Sequence, residues 1–273
     1  MMNAKAVVTP LASDWHPHVE DSHVLSDPTI YRRLVGRLLY LNISRPDLTF
    51  SVNLLSQFMQ APTENHWSAT LHVVKYLIDT QSHGLYYAAN TDLTLHAYCD
   101  ADWGTCPITR GSITGFCVML GSSLVSWKSK KQHTVSRSST ESEYRSAAAT
   151  VCELKWMSYI LQDLCQKVLF LITLKCDNRS AIHIIENPVF HERTKHIEMD
   201  CHLIRDHYKS GFVDPVFVSS RAQLADVFTK ILPGCTMSGL LVKMAFLSQA
   251  PSCGGDERLS GLIPGSWRLL RAS

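Results

Sequence analysis

The feature that most restricts the fold is the stretch VLFLITLKC, residues 168–176, which runs straight into Asp177. It reads as a continuous, mainly apolar strand without the alternation of a half-buried one. Such strands sit in the middle of sheets that are covered on both faces. Its surroundings supply the rest of the sheet. Residues 91–100 alternate, with Leu93, Leu95, Ala97 and Cys99 on one side. Residues 114–120 and 123–130 read as two antiparallel strands joined at Gly121-Ser122. A long helix is expected from Thr140 to about Leu164, a short one over 180–187 and another over 194–209. A fifth strand is expected over 212–218 and a last helix from about Gln223. The order β-β-β-α-β-α-α-β-α predicts a mixed α/β fold, a five-stranded mixed sheet with flanking helices.

A small all-helical module precedes the sheet. Leu34, Leu38, Leu39 and Leu41 mark a first helix, and Ser44-Arg45-Pro46-Asp47 punctuates the chain with a cap and a first-turn proline. Val52, Leu55 and Phe58-Met59 mark a second helix. A third follows Pro62-Thr63-Glu64, with Trp67, Leu71, Val74 and Ile78 on one face, which reads as core. The expected division is therefore a loose arm over 1–28, the helical module over 29–82, the sheet domain over 83–233 and a poorly ordered tail over 234–273.

Composition sets limits on function. The 273 residues suffice for a medium domain with an appendage, and the 45% hydrophobic and 18% charged fractions suit a packed globular chain. A net charge of +2 provides no global basic field, so nucleic-acid binding would rest on local clusters. The nine cysteines are scattered and never form C-x-x-C, which argues for free thiols in a reducing, intracellular setting rather than a disulfide framework. His191, His196, His202 and His207 lack zinc-finger intervals and read as helix-surface groups. The longest apolar run is too short to span a bilayer, and no charged-then-apolar signal pattern opens the chain.

The acidic residues fall at the ends of elements. Asp100 ends the first strand, Glu143 lies in the first turn of the long helix, Asp177 follows the buried strand and Asp226 opens the last helix. Strand carboxyl ends and adjacent helix starts meet along one edge of an open sheet. Carboxylates gathered there repel one another and invite hard divalent cations, magnesium or manganese. Two such ions about 3.5–4 Å apart can activate water and stabilise the leaving oxygen of a phosphodiester. Each acid also has a plainer role open to it. Asp100 or Asp102 could form a turn, Thr140-x-x-Glu143 matches a capping box, Asp177 could form an Asx-turn, and Asp226 and Lys230 are spaced for an ion pair. Glu141 competes with Glu143. From Glu143 the helical stripe runs through Ala147, Val151, Leu154 and Leu161, whereas from Glu141 it meets Arg145, Lys155 and Tyr159. The core-facing stripe selects Glu143.

Lys128, Lys130 and Lys131, beside Trp127, form the densest basic run and could follow a phosphate backbone; lysines also defend edge strands. Arg110, Ser112, Asn178 and Arg179 border the acidic edge and could reach a bound strand, while Asn178 could equally cap the short helix.

Long ordered motifs resemble the C-terminal part of copia-type LTR-retrotransposon Pol polyproteins. Tyr31 to Leu41, Arg45-Pro46-Asp47 and Leu55 to Met59 resemble the end of the reverse transcriptase region. Tyr98-Cys99-Asp100-Ala101-Asp102-Trp103, Arg110-Gly111-Ser112, Ser126 to Gln132, Ser138 to Tyr144, Cys176-Asp177-Asn178 and Gln223-Leu224-Ala225-Asp226 resemble the ribonuclease H part. The resemblance covers about residues 29–233. It implies a ribonuclease H-like sheet and a metal site at Asp100, Glu143, Asp177 and Asp226 with two magnesium (or manganese) ions. It also implies hydrolysis of the RNA strand of an RNA–DNA hybrid, with no membrane partner. In ribonucleases H the catalytic Glu is followed three places on by Ala; here Ser146 stands in that place. Ser219 to Ala222 and Ile231 also depart from the family pattern, and no His-bearing loop precedes Asp226. The polymerase palm is not among these motifs, so polymerase activity is not expected, and contact with a palm supplied elsewhere is. The alternative is a catalytically inactive hybrid-binding or inert remnant.

Overall fold

The computed structural model describes residues 7–18, 22–89, 92–106, 108–166, 171–187 and 198–248. Three helices open it: α1 (Pro28–Leu41), α2 (Thr49–Ser56) and α3 (Glu64–Asp79). Asp27 caps α1 by accepting from the Thr29 N–H, with Pro28 in the first turn. A 3-10 turn, Pro46–Leu48, leads into α2. The three helices close on Tyr31, Val35, Leu38, Val52, Leu55 and Val73. The Tyr31 hydroxyl donates to the Leu55 carbonyl at 2.7 Å in this core. Tyr31→Phe is expected to cost about 0.5–1.5 kcal/mol by removing one buried hydrogen bond, the Leu55 carbonyl keeping the Phe58 N–H as donor, which urea denaturation would read; an unchanged midpoint contradicts it.

Two expectations for this region are corrected. The arm is not loose over 7–18 and 22–27. Leu11 is buried, Trp15 Nε1 donates to Asn65 Oδ1 at 3.0 Å, and the Leu25 N–H donates to the Pro62 carbonyl at 2.9 Å. The inward face of α3 is His66, Ala69, Thr70, Val73 and Tyr76, one position round from the expected stripe, and Ile78 is exposed. His66 and Thr70 can turn inward because each finds a partner: a His66 ring nitrogen lies 2.8 Å from the Pro17 carbonyl, and Thr70 donates to the His66 carbonyl.

The main sheet contains β2 (Leu95–Asp102), β3 (Ile113–Leu120), β4 (Ser123–Lys131), β5 (Ile172–Cys176) and β6 (Val213–Phe217), in spatial order β4-β3-β2-β5-β6. β2, β3 and β4 are antiparallel neighbours, while β5 runs parallel to β2 and β6 parallel to β5. The chain is thus a mixed α/β protein with the ribonuclease H-type strand order. β5 lies inside the sheet between β2 and the edge strand β6, but its burial alternates, with Ile172, Leu174 and Cys176 buried and Thr173 and Lys175 only partly so, which corrects the expectation of a strand without alternation; residues 168–170 of the expected run lie outside the described residues. Pro215 is tolerated because β6 is an edge strand. Leu95, Ala97 and Cys99 face α4 (Ser139–Asp163), and the counted stripe Ala147, Val151, Leu154 and Leu161 is its buried face. Leu93 is exposed and precedes the strand. α5 (Arg179–Glu186) and α6 (Glu198–Lys209) pack on the same side; the expected start of α6, with His191 and His196, lies outside the described residues.

The expected last helix is instead a short 3-10 turn, Leu224–Phe228. It is followed by α7 (Gly234–Lys243) and by β7 (Phe246–Leu247), which pairs with β1 (Gly84–Leu85). The expectation of poor order is therefore corrected over 234–247. Met237, Leu240, Leu241, Met244 and Phe246 bury against Met119, Leu124 and Phe228, on the sheet face opposite α4. Among the described residues, no helix is long and apolar enough to cross a membrane.

Candidate active site

Asp100 is carried by β2, which continues to Asp102 rather than ending at Asp100. Two buried groups fix this stretch of backbone. Ser146 Oγ donates to the Asp100 carbonyl at 2.8 Å, and Gln223 Nε2 donates to the Cys99 carbonyl at 2.9 Å. The serine in the place usually held by alanine thus ties α4 to β2. The Asp100 carboxylate accepts from the Thr229 hydroxyl, and Lys230 Nζ lies 3.6 Å from it. Gly115 is the register partner of Asp100 on β3. A Cβ there would lie 2.5 Å from Thr229 Cγ2 and 3.1 Å from the Ala225 carbonyl oxygen, so glycine admits the Asp226 turn against the sheet.

The geometry of the α4 start separates the two glutamates. Ser138 is the N-cap and accepts from the Glu141 N–H. The Glu141 carboxylate accepts from the Arg137 N–H at 2.9 Å and pairs with Arg145 at 2.9 Å. The capping pair is therefore Ser138 with Glu141, not Thr140 with Glu143 as a capping-box reading supposes. Glu143 is only 6% exposed, and its carboxylate groups with the Cys176 thiol and the Asp177 carboxylate within 4.8 Å. Burial, with repulsion from Asp100 and Asp177 in support, pushes Glu143 up to about 10.

Asp177 follows β5 and accepts from Ser220 Oγ at 2.8 Å. The Asx role belongs to its neighbour: Asn178 caps α5 by accepting from the Ala181 N–H. Asp226 lies buried in the 3-10 turn, with Lys230 Nζ 2.9 Å from its Oδ1. Burial first, then repulsion from Asp100 and Asp177, pushes Asp226 up to about 6 against the pull of Lys230. Four acids from β2, α4, the end of β5 and the 3-10 turn thus act on one another electrostatically. Asp102 is half-buried and is raised by burial. Together with Lys230 it lines a cavity of about 560 Å³ whose walls include Trp15, Phe50, Phe58 and Lys131.

The groups expected to hold nucleic acid lie on several different elements. Ser112 is fully buried and its hydroxyl accepts from the Gly104 N–H, so it shapes a loop instead of facing a ligand. Asn178 is engaged as a cap. Lys128 and Lys130 are exposed on the edge strand β4, whereas strand alternation turns Lys131 to the opposite face, where it donates to Cys106 Sγ at 3.1 Å. The Arg179 guanidinium stacks over Phe217, 4.2 Å from its centroid, and Arg110 is exposed in the β2–β3 loop. Sequence reasoning passed over Gly115 and Thr229 and named Gln223 only as part of a motif, without a role; the contacts of Gln223 and Thr229 with the Asp100 region span more than a hundred residues.

No protein-family model matches the chain. It is 43% identical over 259 residues to the retrovirus-related Pol polyprotein from transposon RE2 of Arabidopsis thaliana, covering 95% of the chain and 18% of that polyprotein. It is 42% identical over 252 residues to the corresponding polyprotein from transposon RE1 of the same plant, covering 92% of the chain and 17% of the relative. The chain therefore spans less than a fifth of the length of these relatives. Among solved structures it is similar to LC11-RNase H1 in complex with an RNA/DNA hybrid, at 11% identity and a TM-score of 0.39 over 50% of this chain and 94% of that one. The fold assignment stands on the strand order given above, and over more than nine tenths of its length the chain is similar to retrovirus-related Pol polyproteins of plant transposons.

Proposed function

We propose that the acidic edge is a two-metal ribonuclease H site, in which Asp100, Glu143, Asp177 and Asp226 hold magnesium or manganese and the RNA strand of an RNA–DNA hybrid is hydrolysed. The observation that carries this reading is the gathering of acids at one edge: Glu143 and Asp177 group within 4.8 Å, and Asp100 and Asp226 lie 3.6 and 2.9 Å from the same Lys230 ammonium, with Asp100 and Asp177 raising both Glu143 and Asp226. So much negative charge at one sheet edge disfavours the metal-free fold and favours a cation. The donor set suits the ions. Hard carboxylate oxygens are what magnesium and manganese prefer. When bound, such ions supply an activated water and charge stabilisation at the leaving oxygen.

The chain's own groups do the positioning. Thr229 orients the Asp100 carboxylate and Ser220 orients Asp177. Gln223 couples the backbone of β2 to the turn that carries Asp226, because its Oε1 also accepts from the Ala225 N–H. Glu141 is withdrawn into the helix cap, which leaves Glu143 for the site. Lys128 and Lys130 are proposed as backbone contacts for the hybrid along β4. Residues 29–82 are proposed as the end of a reverse transcriptase, with the outer face of α3 around Ile78 as a contact for its palm.

The test is cleavage of a labelled hybrid by the full chain in magnesium. RNA-strand products are expected, and Asp177→Asn is expected to reduce the rate by more than about 100-fold, the upper range for mutating groups that merely support metal ligands. The same variant should melt a few degrees higher without metal, because one repelling charge is gone. No cleavage by the folded protein in magnesium or manganese would refute the proposal.

A further inference from the structure

The acidic edge already contains one cation. Lys230 Nζ lies 2.9 Å from Asp226 Oδ1 and 3.6 Å from Asp100 Oδ2. Its backbone is held at this spot: the Lys230 N–H donates to the Asp226 carbonyl at 3.2 Å, and the preceding Thr229 hydroxyl binds Asp100. The ammonium therefore bridges an acid of β2 and an acid of the 3-10 turn that no covalent or sheet contact joins. Its stem is not sealed in place. The side chain is 38% exposed and lines the cavity of about 560 Å³ beside Asp102. Lys230 thus has both a seat among the carboxylates and a space to move into.

A carboxylate oxygen engaged by an ammonium is not free for a divalent ion, and two cations a few ångströms apart repel strongly in a half-buried site. We infer that Lys230 is a resident counter-cation of the acidic edge, which holds Asp100 and Asp226 together in the metal-free protein and swings toward the adjacent cavity when divalent ions bind. This inference rests on the metal-binding reading given above. Lys230 is on this account a positioning residue. It acts through the two acids, and it sets how much metal the site requires. The consequence is a pair of opposite effects on removing it: the metal-free protein is weakened, because repulsion is unopposed, while metal binding is strengthened, because no ion pair has to be broken.

The experiment compares the full chain with Lys230→Gln and Lys230→Arg, without nucleic acid. Free Mn2+ is followed by electron paramagnetic resonance, and metal-free melting is measured alongside. Lys230→Gln is expected to bind Mn2+ about fivefold more tightly, the scale of one modest ion pair, and to melt several degrees lower without metal. Lys230→Arg should return both quantities toward the parent values. A purely structural lysine would lower the melting temperature and leave Mn2+ affinity equal or weaker, and that result overturns the inference. If Lys230→Gln does not fold without metal, the double variant Asp226→Asn/Lys230→Gln removes one charge of each sign. Its metal-free melting temperature must then recover, and failure to recover overturns the inference as well. Mn2+ binding by none of the proteins refutes both this role and the metal site. The expected Lys230 effects without hybrid cleavage refute the nuclease reading alone.

Discussion

Glu143→Gln is expected to lower hybrid cleavage by more than about 100-fold and, at the same time, to raise the metal-free melting temperature at pH 7. The two effects have one cause. Glu143 is buried among acids and is pushed up to about 10 from an ordinary value of 4.5. A carboxyl whose folded value is raised contributes stability that is complete below about 4.5 and is lost as pH climbs toward 10. At pH 7 some two and a half units of that penalty have accrued, about 3 kcal/mol at 1.36 kcal/mol per unit. Glutamine has the shape of the protonated acid and does not titrate, so the penalty vanishes. For a chain of this size that is a rise on the order of 5–10 °C. Melting curves recorded with chelator from pH 5 to pH 9 should fall with pH in the parent and be flatter in the variant. A variant that melts lower than the parent at pH 7 would show that Glu143 supports the fold, and would remove the electrostatic argument for metal.

Gly115→Val tests how the site is assembled rather than what it binds. The new side chain would press on Thr229, Phe228 and the Ala225 carbonyl, with the nearest approach from the Cβ alone at 2.5 Å. Because one of these is backbone, the 3-10 turn must move as a unit and take Asp226 and Lys230 with it. Overpacking of this kind costs about 1–3 kcal/mol, and misplacing a metal-holding acid by an ångström is expected to cost about 100-fold in rate. Denaturant titration and the cleavage assay together check it. Parent-like activity in a folded Gly115→Val protein would mean that the position of the turn does not matter to the chemistry.

What was legible in the sequence follows from the range over which each interaction acts. The four acids could be singled out because Asp177 directly follows β5, Glu143 lies near the start of α4 and Asp100 lies two residues before the end of β2, all local features, whereas the 3-10 turn that carries Asp226 was expected as a helix. The α4 stripe could be counted because helical periodicity is local. The partners that hold the acids were not legible. Thr229 and Gln223 meet β2 only after the chain has crossed the whole sheet, so that even Gln223, which stands in a quoted motif, gave no sign of the backbone it binds. The lysine run is divided for a simpler reason: adjacent residues on a strand point to opposite faces, so Lys128 and Lys130 share one exposed face and Lys131 lies on the other. The capping box at α4 was displaced by two residues because Ser138 and Thr140 are both competent caps, and the Arg137 and Arg145 contacts of Glu141 decide between them. α7 was missed because its glycines and serine mask an apolar face whose counterpart, Met119 and Leu124, lies on the back of the sheet.

The central claim is that carboxylates from four separate elements jointly hold divalent ions. Anomalous diffraction from crystals soaked in Mn2+ tests it most directly. The account predicts manganese peaks enclosed by Asp100, Glu143, Asp177 and Asp226, with the Lys230 ammonium moved away from Asp226. Peaks elsewhere, or none with the four acids left facing one another, would contradict it.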